Sequence, residues 1–142
     1  MGEALVIEAN GSVCDTILPD GAAARGSAVR GLVGGYVDQG RYHRDVVLHV
    51  RGDGAAEPNL VAWALASVWR GVELDYFLYG TVVVTAHGAA EVLPAAVAGQ
   101  VRAAGEAVAA IAAEWRSRRP ASDRAALAEL LAGVRHEVLS AT

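Results

Sequence analysis

Residues 4–42 read ALVIEANGSVCDTILPDGAAARGSAVRGLVGGYVDQGRY, and the fold turns on this stretch. Two runs rich in Leu, Val and Ile, residues 4–9 and 12–18, flank Asn10-Gly11. That dipeptide readily supplies the two positive-φ residues of a type I′ turn. The pattern predicts an antiparallel strand pair, with Val13 and Ile17 on one face and Cys14, Thr16 and Leu18 on the other. Pro19-Asp20 ends the second strand, and Asp20 is the expected N-cap of a helix over residues 21–33. Gly34 or Gly35 can take the left-handed position that closes a helix, so a third strand opens at Tyr36.

Beyond this stretch, Gln39-Gly40 marks a bulge or turn and residues 45–51 alternate as a fourth strand, making a second antiparallel pair. Residues 52–58, GDGAAEP, are a loop by composition. Asn59 precedes a run in which Leu60, Trp63, Ala64, Ser67 and Val68 recur at helical spacing, which makes it the N-cap of a second helix ending near Gly71. Loss of such a cap costs about 1 kcal/mol. Residues 72–79 carry no clear periodicity, whereas residues 80–87, GTVVVTAH, form a β-branched strand apolar enough to sit centrally. Apolar residues then step by three or four from Leu93 to Trp115 and again from Leu127 to Val138, with a break at Arg118-Arg119-Pro120. Two amphipathic helices joined by a short loop are expected to fold back as an antiparallel hairpin.

The expected architecture is therefore α+β. A largely antiparallel sheet of about five strands carries two helices on one face, within residues 1–88, and residues 89–142 add a C-terminal helical hairpin packed on that core or on a partner. At 142 residues, with 54% hydrophobic and 20% charged residues, the chain can bury a core without staples. A net charge of −4 opposes a broad grip on phosphate backbones. All 12 basic residues are arginine, which together with abundant Ala, Gly and Val points to a GC-rich bacterial genome. The lone Cys14 cannot form an internal disulfide, no signal peptide opens the chain, and residues 93–115 are too interrupted by polar residues and glycine to span a membrane. The expectation is a cytoplasmic protein. Arg51-Gly52-Asp53 reads as a turn rather than an adhesive motif.

Residues 4–87 resemble a small domain family of unknown function found mostly in phages, plasmids and other mobile elements of bacteria. The resemblance is carried by Ile7-Glu8-Ala9-Asn10-Gly11, Leu18-Pro19 and Leu32-Val33-Gly34-Gly35-Tyr36, then by Asn59 with Ala62 and by Gly80-Thr81-Val82-Val83-Val84. It covers somewhat more than half the chain and leaves out the C-terminal helices. It implies an accessory or regulatory role on a mobile element, with no activity attached.

Among chemically able residues, Glu73 and Asp75 stand two apart, where a strand would put both carboxylates on one face. With His87 and Tyr36 they are the candidates for a ligand or acid/base pocket. Arg41, His43 and Arg44, interleaved with Tyr36 and Tyr42 and joined by Arg25, could grip single-stranded nucleic acid through charge and stacking. An ordinary solvated hairpin tip is the simpler reading of that cluster. His43, His49 and His87 would suit zinc if they converged, yet their spacing does not force convergence, so no metal or other cofactor is expected. The GxxG in Arg30-Gly31-Leu32-Val33-Gly34 ends a helix rather than clamping a nucleic-acid backbone. Cys14 is expected to be a small buried hydrophobe, the tryptophans Trp63, Trp69 and Trp115 core or interface anchors, and Arg116-Ser117-Arg118-Arg119 a charged loop between helices.

The resemblance, together with the missing catalytic motifs, thus favours a non-enzymatic binding or interaction protein with a protein partner. A small-ligand binder or enzyme, or a single-stranded nucleic-acid binder, are the alternatives. The apolar face of the C-terminal helices, with Val101, Val108, Ile111, Trp115, Leu127, Leu130 and Leu131, is the expected interface, most simply of a homodimer.

Overall fold

The computed structural model describes residues 2–53, 56–88 and 92–141. Gly54 and Ala55 of the expected loop, and residues 89–91 at the expected boundary between sheet and hairpin, lie outside them. Strands β1 (Gly2–Ile7) and β2 (Val13–Leu18) pair antiparallel with Ile7 opposite Val13. Their turn is not type I′. No non-glycine residue among those described has positive φ, and only Gly11 does so here, at 97°. The Gly11 amide donates to Glu8 O at 2.9 Å and the Glu8 amide to Ser12 O at 2.9 Å. This is the pattern of a three-residue loop closed by a left-handed glycine bulge. Asn10 serves through its side chain, whose Oδ1 accepts from the Ser12 amide at 3.0 Å and the Ser12 hydroxyl at 2.7 Å.

Helix α1 (Ala22–Val33) starts one residue later than a cap at Asp20 requires. Gly21 holds the cap position at φ 87° and offers no side-chain bond, so the expected Asp20 cap is corrected. The other end is as expected: Gly34 closes the helix at φ 72°, and its amide donates to Arg30 O at 2.8 Å. Strands β3 (Val37–His43) and β4 (Val46–Arg51) form the second pair, with the register slipping between Gly40 and His43. Arg41 and Tyr42 there stand opposite the single Val47, a bulge made possible by Gly40, where a Cβ would lie 2.4 Å from the Tyr42 ring. Helix α2 (Leu60–Arg70) is capped by Asn59, which accepts from the Ala62 amide at 3.0 Å.

Strand β5 (Val82–Ala86) enters the middle of an antiparallel sheet of order β2-β1-β5-β4-β3. Its continuous Val82-Val83-Val84 run is wholly buried, which requires apolar cover on both faces of the sheet. The two helices of the core therefore lie on opposite faces, not on one. On one face Val29 and Val33 of α1 pack with Ala4, Val6, Leu18 and Val83. On the other, α2 packs over Leu5, Ile7, Val46, Leu48, Val82 and Val84. Helices α3 (Ala95–Glu114) and α4 (Asp123–Ser140) join this second side. Gly105 lets α3 approach β2, since a Cβ there would lie 2.7 Å from Val13 Cγ2, and Arg102 bonds Asp15 at 2.7 Å. One apolar core thus runs from the sheet through α2 into α3 and α4. No helix among the described residues is long and apolar enough to cross a membrane.

Candidate functional site

On one side of the sheet α2 and α3 pack with α4 over them, but α1 alone crosses the other face and buries only Val29 and Val33 there. The uncovered part of that face, together with the flank of α1, encloses a groove of about 720 Å³. Its position explains its chemistry. Arg25 lies one turn before Val29 on the stripe that faces the sheet, and Arg30 follows Val29, so both line the groove. Arg25 Nε is 3.5 Å from Pro19 O, and a Cβ on Gly2 would lie 3.0 Å from the Arg25 guanidinium. From the sheet side the β3 bulge brings Arg41 into the groove, while Tyr42 turns to the α2 side under the Arg70 guanidinium.

Arg41 Nη2 lies 3.1 Å from His87 Nε2. A guanidinium can only donate, so Nε2 is the accepting side of this contact. His49 and Thr85 meet on the groove floor, Nε2 to Oγ1 at 2.8 Å. Burial pushes the His49 imidazole below its ordinary value of 6.5, favouring the uncharged ring. Gln39 stands opposite His49 in the β3–β4 register, and both line the groove. At its mouth Tyr36 is 70% exposed, with its ring against Gly52, where a Cβ would come within 2.9 Å of Cδ1.

The groove's charge runs against that of the chain. Among the described residues, Arg25, Arg30 and Arg41 line it together with one acidic residue, Glu3, whose carboxylate accepts from the Leu93 amide at 3.3 Å. Elsewhere arginines meet carboxylates: Arg51 with Asp53 at 2.7 Å, Arg124 with Glu73 at 3.6 Å, and Arg118 with both Glu114 and Glu129. Neither Arg30 nor Arg41 has an acidic partner among the described residues.

This arrangement joins half of each expected quartet. Tyr36 and His87 of the ligand set meet Arg25 and Arg41 of the nucleic-acid set. Glu73 and Asp75 do not share a strand face, because residues 72–79 are irregular and are pinned through Leu74, which lies between them. The Leu74 side chain enters the α2 core, its amide donates to Ser67 Oγ at 3.2 Å and its carbonyl accepts from Trp63 Nε1 at 3.1 Å. The two carboxylates are thereby held outside the groove. His43 falls after the bulge, packs edge-on against Trp69 at 5.1 Å on the α2 face, and cannot join His49 and His87 in a zinc site. Arg44 projects from the hairpin tip, 91% exposed, 3.9 Å from Asp45.

Four groove residues, Gln39, Arg30, His49 and Thr85, were not expected as a ligand-binding set. Arg30 and His49 drew attention only through a GxxG and a histidine triplet. What unites them is which strand α1 crosses, and a single sequence does not contain that directly. Cys14, expected to be buried, is exposed on the edge strand β2. Trp63 is a core residue as expected, and Trp69 and Trp115 are half-buried with their indole N–H groups on Gln100 and Glu129.

The expected interface residues are largely committed within the chain. Val101 and Leu130 are fully enclosed in its own core, which corrects their assignment to a partner surface. Val108, Leu127 and Leu131 pack against that core, and Ile111 fills the space over Gly133 between α3 and α4. No family model, curated protein or solved structure matches this chain.

Proposed function

We propose that the protein is a non-enzymatic binding protein whose groove between α1 and the sheet takes a small anionic ligand. The observation that carries this reading is the local inversion of charge: Arg30 and Arg41, without acidic partners among the described residues, line a groove of a chain whose net charge is −4. In a site with low-dielectric walls such cations attract an anion more strongly than they would on open surface. The groove's volume of about 720 Å³ lies within the range of small-molecule pockets, about 300–1,000 Å³. Binding is preferred to catalysis because the carboxylates Glu73 and Asp75 do not line the groove, and Glu3, which does, is engaged by the Leu93 amide. A ligand-responsive module of this kind suits the accessory role on a mobile element that the resemblance implies.

Calorimetric titration of the full chain with inorganic phosphate and pyrophosphate, at low and high salt, tests the proposal. Saturable binding that weakens with salt and is reduced in Arg30→Gln and Arg41→Gln, but not in Arg44→Ala at the hairpin tip, is expected. Absence of binding, or binding indifferent to both groove variants, contradicts it.

A further inference from the structure

We infer, building on the anion-binding reading, that the ligand of the groove is a nucleoside monophosphate, with its phosphate between Arg30 and Arg41 and its base on Tyr36. A phosphate monoester carries about −1.5 to −2 charges at neutral pH, matching two guanidiniums better than a single carboxylate would. A bare phosphate would leave most of about 720 Å³ empty, so the ligand has a substantial body beyond its anionic group. Tyr36 indicates what that body is. Its ring is 70% exposed and seated on Gly52, whose amide also donates to Tyr36 O at 2.8 Å. It makes no ring–ring contact among the described residues, so a face is open to stack on a planar partner.

The same groove is lined by neutral groups able to donate and accept: Gln39, Thr85 and His49, whose burial favours the uncharged ring. Such groups suit ribose hydroxyls and base edges rather than further charge. Cations, neutral polar groups and an aromatic ring on one groove match the three parts of a nucleotide, phosphate, sugar and base. The overall negative charge of the chain favours a free nucleotide over a polynucleotide, whose other phosphates would meet an acidic surface.

The test is calorimetry on the full chain with AMP, GMP, CMP and UMP as probes beside inorganic phosphate, adenosine and a single-stranded DNA decamer. At least one nucleotide should bind about tenfold or more tighter than phosphate and than adenosine. Tyr36→Ala should weaken that nucleotide by about fivefold to a hundredfold, the range for a lost base–aromatic stack, and Tyr36→Phe should retain it. Arg30→Gln should weaken phosphate and nucleotide alike. If phosphate binds and every nucleotide binds no tighter, the nucleotide inference fails while the anion reading stands. If neither phosphate nor any nucleotide binds, both fail. Binding of the decamer without binding of any mononucleotide also overturns the inference, in favour of a nucleic-acid strand.

Discussion

Asn59 is the residue on which most of the core's geometry converges. It is fully buried; its Oδ1 caps α2, and its Nδ2 donates to Ile7 O at 2.9 Å and to Gly80 O at 2.8 Å. One side chain thereby ties the end of β1, the approach to β5 and the start of α2. The capping role was legible from its place before an apolar helical run. The two carbonyl contacts were not, because they depend on β1 and β5 being neighbours. They change the expected cost: Asn59→Ala loses the cap, about 1 kcal/mol, and strands two buried carbonyls at about 1 kcal/mol or more each. A loss of about 3 kcal/mol in a urea melt is expected, and a loss near 1 kcal/mol would mean that water or a backbone shift replaces those bonds. His49 makes a second prediction at this scale. Its folded-state pKa lies below the unfolded value of 6.5, so between the two the unfolded chain binds more protons and stability falls as pH drops below about 6.5. The urea midpoint should decline from pH 7.5 to pH 5.5, and His49→Asn should flatten that decline. An unchanged slope in the variant would assign the pH dependence to other groups.

Among the elements, α1 and α3 show why glycine content alone is a poor guide to helix quality. Gly31 sits inside α1 with open space where a Cβ would go, so Gly31→Ala should stabilise by about 0.5–1 kcal/mol through helix propensity. Gly105 in α3 is the opposite case. Its Cβ would meet the stiff Val13 side chain at 2.7 Å, and Gly105→Ala should destabilise by about 1–3 kcal/mol by forcing α3 off β2. Chemical denaturation of the pair checks both signs together. The helices themselves were readable, because the Gly34 stop and the Asn59 start are local signals. The face that each covers was not. The clue was in β5, where three consecutive valines announce a strand buried on both sides and so exclude both helices lying on one face. The Asn10-Gly11 hairpin was likewise right in kind and wrong in turn geometry, since loop length, not the dipeptide, selects the turn.

At the scale of the molecule, asymmetric cover produces the site. Three helices pack on one side of the sheet and one on the other, and the underused side keeps a groove into which arginines from α1 and β3 project. The same asymmetry settles what the C-terminal hairpin does for the fold. Leu130 is 1% exposed, so Leu130→Asp puts an unpaired charge in the core. It should unfold the chain or lower its melting temperature steeply, rather than merely change its association state. A variant with native stability would mean that α4 is dispensable to the core. The groove itself was half legible: Arg25, Arg41, Tyr36 and His87 were visible as chemically able residues, but they fell into two separate sets until the bulge at Gly40 and the crossing of α1 brought them together.

The most direct measurement is a ¹H–¹⁵N correlation spectrum of the full chain titrated with inorganic phosphate at low salt. The expected result is saturable shifts confined to the groove, at the backbone amides of Gly26, Arg30, Tyr36, Arg41, His49 and Thr85, reversed by added salt. Shifts centred on the α3–α4 turn, or none at all, would contradict the assignment of this groove as an anion site.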